Sequence, residues 1–464
     1  MPLSKRAFHP EREPLRDHAG LELQRSRVHA PFAFLNPTHA VFRPTEKYAS
    51  EGDSQKTKRA EGEEEEAPAE LDQGHEKQQQ PTPPQSRAEA DQVQYLWRSR
   101  DNRKGRHALQ VRYHDEKDPT KPRYEAPRKT SEFRSVLHGL WRMCSVFPYW
   151  DVSYLVAFIF SLGSVIWVIN AFFVWLPLED PSSEFPHESF TGGGVTAFIG
   201  ATVFEIGSVL LILEAVNENT AGCFGWALEQ VLREETAEAI TVVKPASQHK
   251  CRHHHADRRV FLGSGRRRGH ASWTTVDAAG DRTFTWFPSW TELQTHYLHE
   301  LGFLASFAQL VGATIFWIAG FTGLPGIANH MSQRVTNGVF WVPQIVGGSF
   351  FIISGLLFTI ETQRKWYIPA PKVLGWHIGA WNFVGGIGFT LCGALGPATA
   401  NSGVEYQSSL ATFWGSWAFL IGSVIQWYES LDKYPVEEIK DNTGGKAINI
   451  DETGKEETAT KEGD

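Results

Sequence analysis

Four glutamates are the residues of this chain best placed to do chemistry. Glu205 lies near the middle of an apolar run, residues 195–216, where an ionised carboxylate costs on the order of 3 kcal/mol or more. A carboxyl there must be protonated or paired. If it relays protons or cations, the polar side chains of neighbouring runs that would serve it are Asn170, Gln309, Asn382 and His377. The plainer role is a neutral carboxyl hydrogen-bonded inside a helix bundle. The other three, Glu214, Glu361 and Glu429, each fall at the end of an apolar run. They read as solvated residues that stop a membrane span, or as a ring of interhelical or cation contacts.

Other reactive groups carry weaker signals. His296 and His299 precede the third run on an expected helix, which Ser289 caps with Glu292 three residues on, the reciprocal capping pattern. Their spacing would put them on one face, but no HExxH motif accompanies them. His249, Cys251, His253, His254 and His255 cluster without the two paired ligand groups of structural zinc sites. No metal and no cofactor is expected. His377, beside Trp376, reads as an interfacial residue. Cys144, Cys223, Cys251 and Cys392 form no CxxC pair and read as reduced thiols; palmitoylation of Cys144 or Cys223 is only weakly signalled. Gly263-Ser-Gly265 is followed by Arg268 where a dinucleotide fingerprint needs its third glycine, and no Walker loop or nucleophile elbow is present. Enzymatic activity is not expected.

The elements that must position these residues are six apolar runs: 152–176, 195–216, 302–321, 339–360, 374–395 and 410–427. Each has about 18–25 residues, enough at ~1.5 Å per residue to cross a ~30 Å hydrocarbon core. Aromatics are abundant, 17 Trp and 30 Phe, which suits interfacial belts. The net charge of −8 argues against a nucleic-acid binder. The expected fold is all-α: a six-helix transmembrane bundle of three tandem two-helix hairpins, with a disordered N-terminal region.

The expected divisions follow composition. Residues 1–130, with the Glu63 to Glu66 run and Pro81, Pro83 and Pro84, are too polar to order themselves and read as a disordered cytosolic region. Within 131–150, Phe133, Val136, Leu137, Leu140, Trp141 and Cys144 recur at helical spacing, as in an interfacial amphipathic helix. Hairpin 1 is 151–217, a cytosolic loop is 218–288, a short interfacial helix and hairpin 2 are 289–361, hairpin 3 is 362–435, and 436–464 is a disordered cytosolic tail.

The hairpins repeat. Their second helices share G-x3-F-x2-[GS]-[SG]-x5-E: Gly200, Phe204, Gly207, Ser208 and Glu214; Gly347, Phe351, Ser354, Gly355 and Glu361; Gly415, Phe419, Gly422, Ser423 and Glu429. Their first helices share a small pair followed by an aromatic residue: Gly163-Ser164 with Trp167, Gly312-Ala313 with Phe316, Gly385-Gly386 with Phe389. Positions 0, 4, 7 and 14 of the longer pattern lie on one helical stripe, where small residues let a neighbouring backbone come close.

On these residues the chain resembles the YrhK-like membrane domain. Phe160-Ser-Leu-Gly163-Ser164 is the first-helix form, and Gly415-Ser-Trp-Ala-Phe419-Leu-Ile-Gly422-Ser423 the second-helix form. The layout of a long polar N-terminus and six spans is similar to uncharacterised fungal integral membrane proteins. The third run departs, with Gln309 in place of Phe and Ala313 in place of Ser. The resemblance implies an architecture and no catalytic residue.

Lys and Arg set the expected topology. The segments after the first and fifth runs have none and the segment after the third has only Arg334, whereas Arg128, Lys129, Arg134, Arg142, Arg364, Lys365, Lys372 and Lys433 flank the other ends. Both termini are expected in the cytosol. The basic loop, Arg258, Arg259 and Arg266 to Arg268, makes anionic lipid headgroups candidate partners beside the bilayer itself. A structural or adaptor protein recruiting cytosolic proteins is the leading expectation, and a small-solute or ion transporter the alternative. All three hairpins enter in one orientation, unlike the inverted repeats of many transporters. A wet interior lined by Glu205 would favour transport, a dry Phe- and Gly-packed one the structural role.

Overall fold

The computed structural model describes residues 21–44, 93–111, 129–218 and 285–438. The six apolar runs become six long helices: α3 (Val152–Glu179), α4 (Gly193–Val216), α6 (Leu301–Thr322), α7 (Val342–Glu361), α8 (Leu374–Leu395) and α9 (Ser402–Leu431). Counting the helical turns that directly adjoin some of them, each span has between 22 and 30 residues and is long and apolar enough to cross a membrane. Helix α9 begins eight residues before the apolar run. Asn401 caps it, accepting from the Gly403 backbone N–H at 3.0 Å, so its polar first turns are helical although they are not hydrophobic.

Each helix packs against its neighbours in the chain, and α9 packs back on α3. The bundle is therefore a closed ring in sequence order. Its two repeat motifs meet on the ring's axis. Trp167, Phe316 and Phe389 form one triad, with ring centroids 5.6, 5.5 and 4.8 Å apart. Phe204, Phe351 and Phe419 form a second, at 6.5, 5.9 and 5.6 Å. The triads touch each other, Phe389 and Phe419 at 5.4 Å. In every hairpin the small residue of one helix seats the aromatic of the other. A Cβ at Gly163 would meet Phe204 at 2.6 Å, and one at Gly385 would meet Phe419 at 2.7 Å. Gly207, Ser354 and Gly422 are buried, as the packing role requires.

Two of the expected divisions need correction. Within residues 1–130, which the composition marks as disordered, four strands form: β1 (Leu21–Leu23), β2 (His39–Pro44), β3 (Val93–Arg98) and β4 (Ala108–Val111). Within the expected disordered tail, Val436–Glu438 is a strand, β5. The sheet order is β1-β2-β3-β4-β5, antiparallel except for the parallel pair β4–β5, with Leu109 opposite Val436. Ordering comes from partners that lie far away in the chain. Phe42, Trp97, Ala40 and Val28 bury themselves in a small core, and the C-terminal strand completes the sheet. The Glu63 to Glu66 run and the His249 to His255 cluster lie outside the described residues.

A five-residue helix, α1 (Ser99–Arg103), forms the tip of the β3–β4 connection. Gly105, with φ 61°, turns the chain back toward β4; this left-handed conformation carries no steric cost only for glycine. The expected interfacial helix is α2 (Phe133–Ser145). Its apolar side, with Phe133 73% and Trp141 69% exposed, is left uncovered by the described residues. Gly139 on another face lets it cross Tyr428 of α9 closely.

Candidate functional site: a glutamate ring closed by a basic finger

Glu214, Glu361 and Glu429 converge at the sheet-bearing end of the bundle. They are not solvated stops: each is almost completely buried. The cations that balance them come from α1 and the turn after it. Arg103 grips Glu361 with both ends of its fork, Nη1 to Oε1 at 2.7 Å and Nη2 to Oε2 at 2.9 Å. Ser99 Oγ adds a third bond to the same carboxylate at 3.0 Å. Arg100 Nη2 donates to Glu429 Oε2 at 2.6 Å, and Arg106 Nη1 to Glu429 Oε1 at 3.0 Å. Arg106 also holds Asp101 at 2.6 Å and the carbonyl of Asp432 at 2.8 Å. Lys104 Nζ lies 3.5 Å from Glu214 Oε1.

Bidentate guanidinium–carboxylate pairing is the geometry in which a buried pair best offsets desolvation. The consequences differ among the cations. Burial opposes the charge on Arg103 and Arg106, but Glu361 for the first and Asp101 with Glu429 for the second outweigh it, so both stay above the ordinary arginine value. Lys104 is different. Burial outweighs the attraction of Glu214 and lowers its ammonium to about 8.

The bundle is built to admit the finger. Gly302 and Gly375, in the first turns of α6 and α8, leave the space that the guanidinium groups occupy. A Cβ at Gly302 would overlap Arg103 Nη1, and one at Gly375 would approach Arg100 Nε to 2.5 Å. Below the finger lies a cavity of about 30 Å³, lined on its polar side by Glu214 of the ring, by Arg100, Arg103 and Lys104 of the finger, and by Gln309, Asn382, Ser423 and Gln426. That volume suits a water molecule or two and no larger solute. The aromatic triads seal the axis beyond it.

The candidate relay residues do not come together. Glu205 sits half a helical turn from Glu214, on the outer side of α4, half-buried, and accepts from Thr314 Oγ1 of α6 at 3.0 Å. Asn170 is spent near the other end of the bundle, donating to the carbonyl of Gly193 at 2.6 Å and to Thr196 at 3.0 Å. Gln309 and Asn382 share the axial cavity. His377 Nε2 lies 2.7 Å from the carbonyl of Pro371, at the surface. The reason is angular: residues nine apart on a helix face opposite ways, so a stripe that points Glu214 inward points Glu205 outward.

The capping box at Ser289 and Glu292 forms as its sequence implies. However, α5 (Trp290–Thr295) stops before the histidines, and Tyr297–His299 is a separate turn of 3₁₀ helix. His296 and His299 therefore share no helical face. Cys392 is buried and accepts from Gln344 at 3.2 Å; Cys144 is exposed.

Sequence reasoning missed the finger itself. Ser99-Arg-Asp-Asn-Arg-Lys-Gly-Arg106 looks like a solvated charge run. Its signal was indirect: three carboxylates in apolar surroundings demand three cations, and this is the densest basic run next to a strand-like alternation, Val93 to Trp97. No family model, curated protein or solved structure matches this chain.

Proposed function

We propose that this chain is a multi-pass integral membrane protein with a structural role, an anchor that holds a folded cap rigidly against the bilayer and presents it to protein partners. The observation that carries this reading is the sealed axis: two aromatic triads, and a ring of glutamates filled by the protein's own arginines. A transport path needs a wet, polar passage, and the axial cavity is too small for a solute. The welded cap supports an anchoring role, because buried ion pairs fix orientation even where they add little net stability.

Positive residues cluster at the sheet-bearing end, including Arg134, Arg142, Arg364, Lys365 and Lys372, which supports a cytosolic location for the cap. The exposed apolar side of α2 supports a seat in the lipid interface next to it. The glycine–aromatic seats are the packing chemistry on which the likeness to the YrhK-like domain rests, and we extend that likeness to all three hairpins as part of the proposal.

The test is flux. The full-length protein is reconstituted into liposomes containing a pH-sensitive dye, and an imposed proton gradient is followed with and without a potassium diffusion potential. The structural reading predicts decay at the rate of protein-free liposomes. Faster decay that Glu205→Gln abolishes would overturn it in favour of transport.

A further inference from the structure

The three junctions between hairpins can be compared position by position. Four residues after the ring glutamate of hairpin 3 comes Lys433, and directly before the first helix of hairpin 1 comes Asp151. These two form an ion pair at 2.5 Å. The corresponding residues between hairpins 1 and 2 are Glu218, four after Glu214, and Glu300, directly before α6. Here a second carboxylate stands where the lysine stood. Between hairpins 2 and 3 the pair is Lys365 and Val373, with no carboxylate to balance.

The Glu218–Glu300 junction is not an exposed acidic patch. Glu300 is buried and Glu218 half-buried. Their oxygens and a ring nitrogen of His296 all lie within 4.8 Å of one another. His296 Nε2 is 3.7 Å from Glu218 Oε1. Each carboxylate is oriented from behind by an amide of the cap: Asn102 Nδ2 donates to Glu218 Oε2 at 2.9 Å, and Asn36 Nδ2 to Glu300 Oε1 at 3.1 Å. The buried carboxylates nearby, Glu361, Glu429, Glu214, Asp101 and Asp151, all have an Arg or Lys partner. Among the described residues, neither Glu218 nor Glu300 forms an ion pair with an Arg or Lys.

We propose that Glu218, His296 and Glu300 bind a divalent transition-metal ion that takes the place of the lysine found at the equivalent junction. One imidazole nitrogen and two carboxylate oxygens form a donor set for Zn²⁺, Mn²⁺, Fe²⁺ or Co²⁺. The amides of Asn36 and Asn102 act as the outer partners that metal-ligating carboxylates characteristically have. The ion would pin α4 to α6 and to the cap at once, since its ligands and their supports come from hairpin 1, hairpin 2, the β1–β2 connection and α1.

The test uses the full-length protein in nanodiscs, stripped with chelator and titrated with Co²⁺, whose visible absorption reports nitrogen and oxygen ligation. The expected result is one Co²⁺ per chain, displaced by Zn²⁺, with affinity weakened more than about tenfold by His296→Ala and by the isosteric Glu300→Gln. Glu218→Lys, which recreates the lysine–carboxylate pair, should give a chain that binds no Co²⁺ at this junction and whose melting temperature no longer responds to metal. It also keeps the test open if the other variants fail to fold. Absence of stoichiometric Co²⁺ binding by the wild type, or binding unchanged in these variants, overturns the proposal.

Discussion

At the scale of single residues, the finger makes two predictions. Gly302 is required because Arg103 fills the space its side chain would take. Gly302→Ala should displace the guanidinium from Glu361 and leave buried charge unpaired, a loss of about 3–5 kcal/mol, read as a lowered denaturant midpoint in detergent. Gly338→Ala, at a glycine with open space around it, is the control and should change little. Lys104 predicts a pH dependence. Its ordinary value of 10.5 falls to about 8 in the folded chain. Between those values the unfolded chain holds a proton that the folded chain lacks, so stability rises with pH across that window and is flat below it. Denaturation of the wild type from pH 8 to pH 10 should show this rise, and Lys104→Met should reduce it. A slope unchanged by the substitution would mean that Lys104 is solvated.

At the scale of elements, α2 and the hairpin seats carry the testable content. A nitroxide at Leu140 should collide with oxygen dissolved in lipid, and one at His138, round the helix, with a water-soluble nickel reagent. Equal accessibility at both would place α2 away from the interface. These elements were also the readable part of the chain. The periodicity of Phe133, Leu137, Leu140 and Trp141 specifies α2. The recurring Gly, Phe, small-residue and Glu positions specify which helix faces meet, because close packing in lipid depends on small residues whose spacing is visible in one dimension. Other elements were not readable. Strands β1 to β5 are short, 3 to 6 residues, and β4 pairs with a strand more than 300 residues away. Nothing local in Val436-Glu-Glu438 announces that pairing. Arg100, Arg103 and Arg106 read as solvated because charge patterns do not reveal burial. Only the three carboxylates they neutralise, read together with them, would have done so.

At the scale of the whole molecule, the closed ring and the cap built from both ends of the chain make a single mechanical unit. β5 ties the end of α9 to the sheet, and Lys433 adds bonds to Asp151 and to the carbonyl of Lys104. Replacing Val436 with Pro removes a backbone donor that reaches Thr130 Oγ1 at 2.8 Å and disfavours the strand. It should speed proteolysis within 93–111 while leaving the six spans protected. The central claim is that Arg103 of the cap and Glu361 of the bundle form one buried pair. A double-mutant cycle with Arg103→Met, Glu361→Leu and the double variant, measured by denaturation of the full-length protein, tests it most directly. The predicted result is a coupling of about 1.5 kcal/mol or more, with the double variant more stable than either single one. Additivity within about 0.5 kcal/mol would contradict it, because two residues whose losses simply add do not touch.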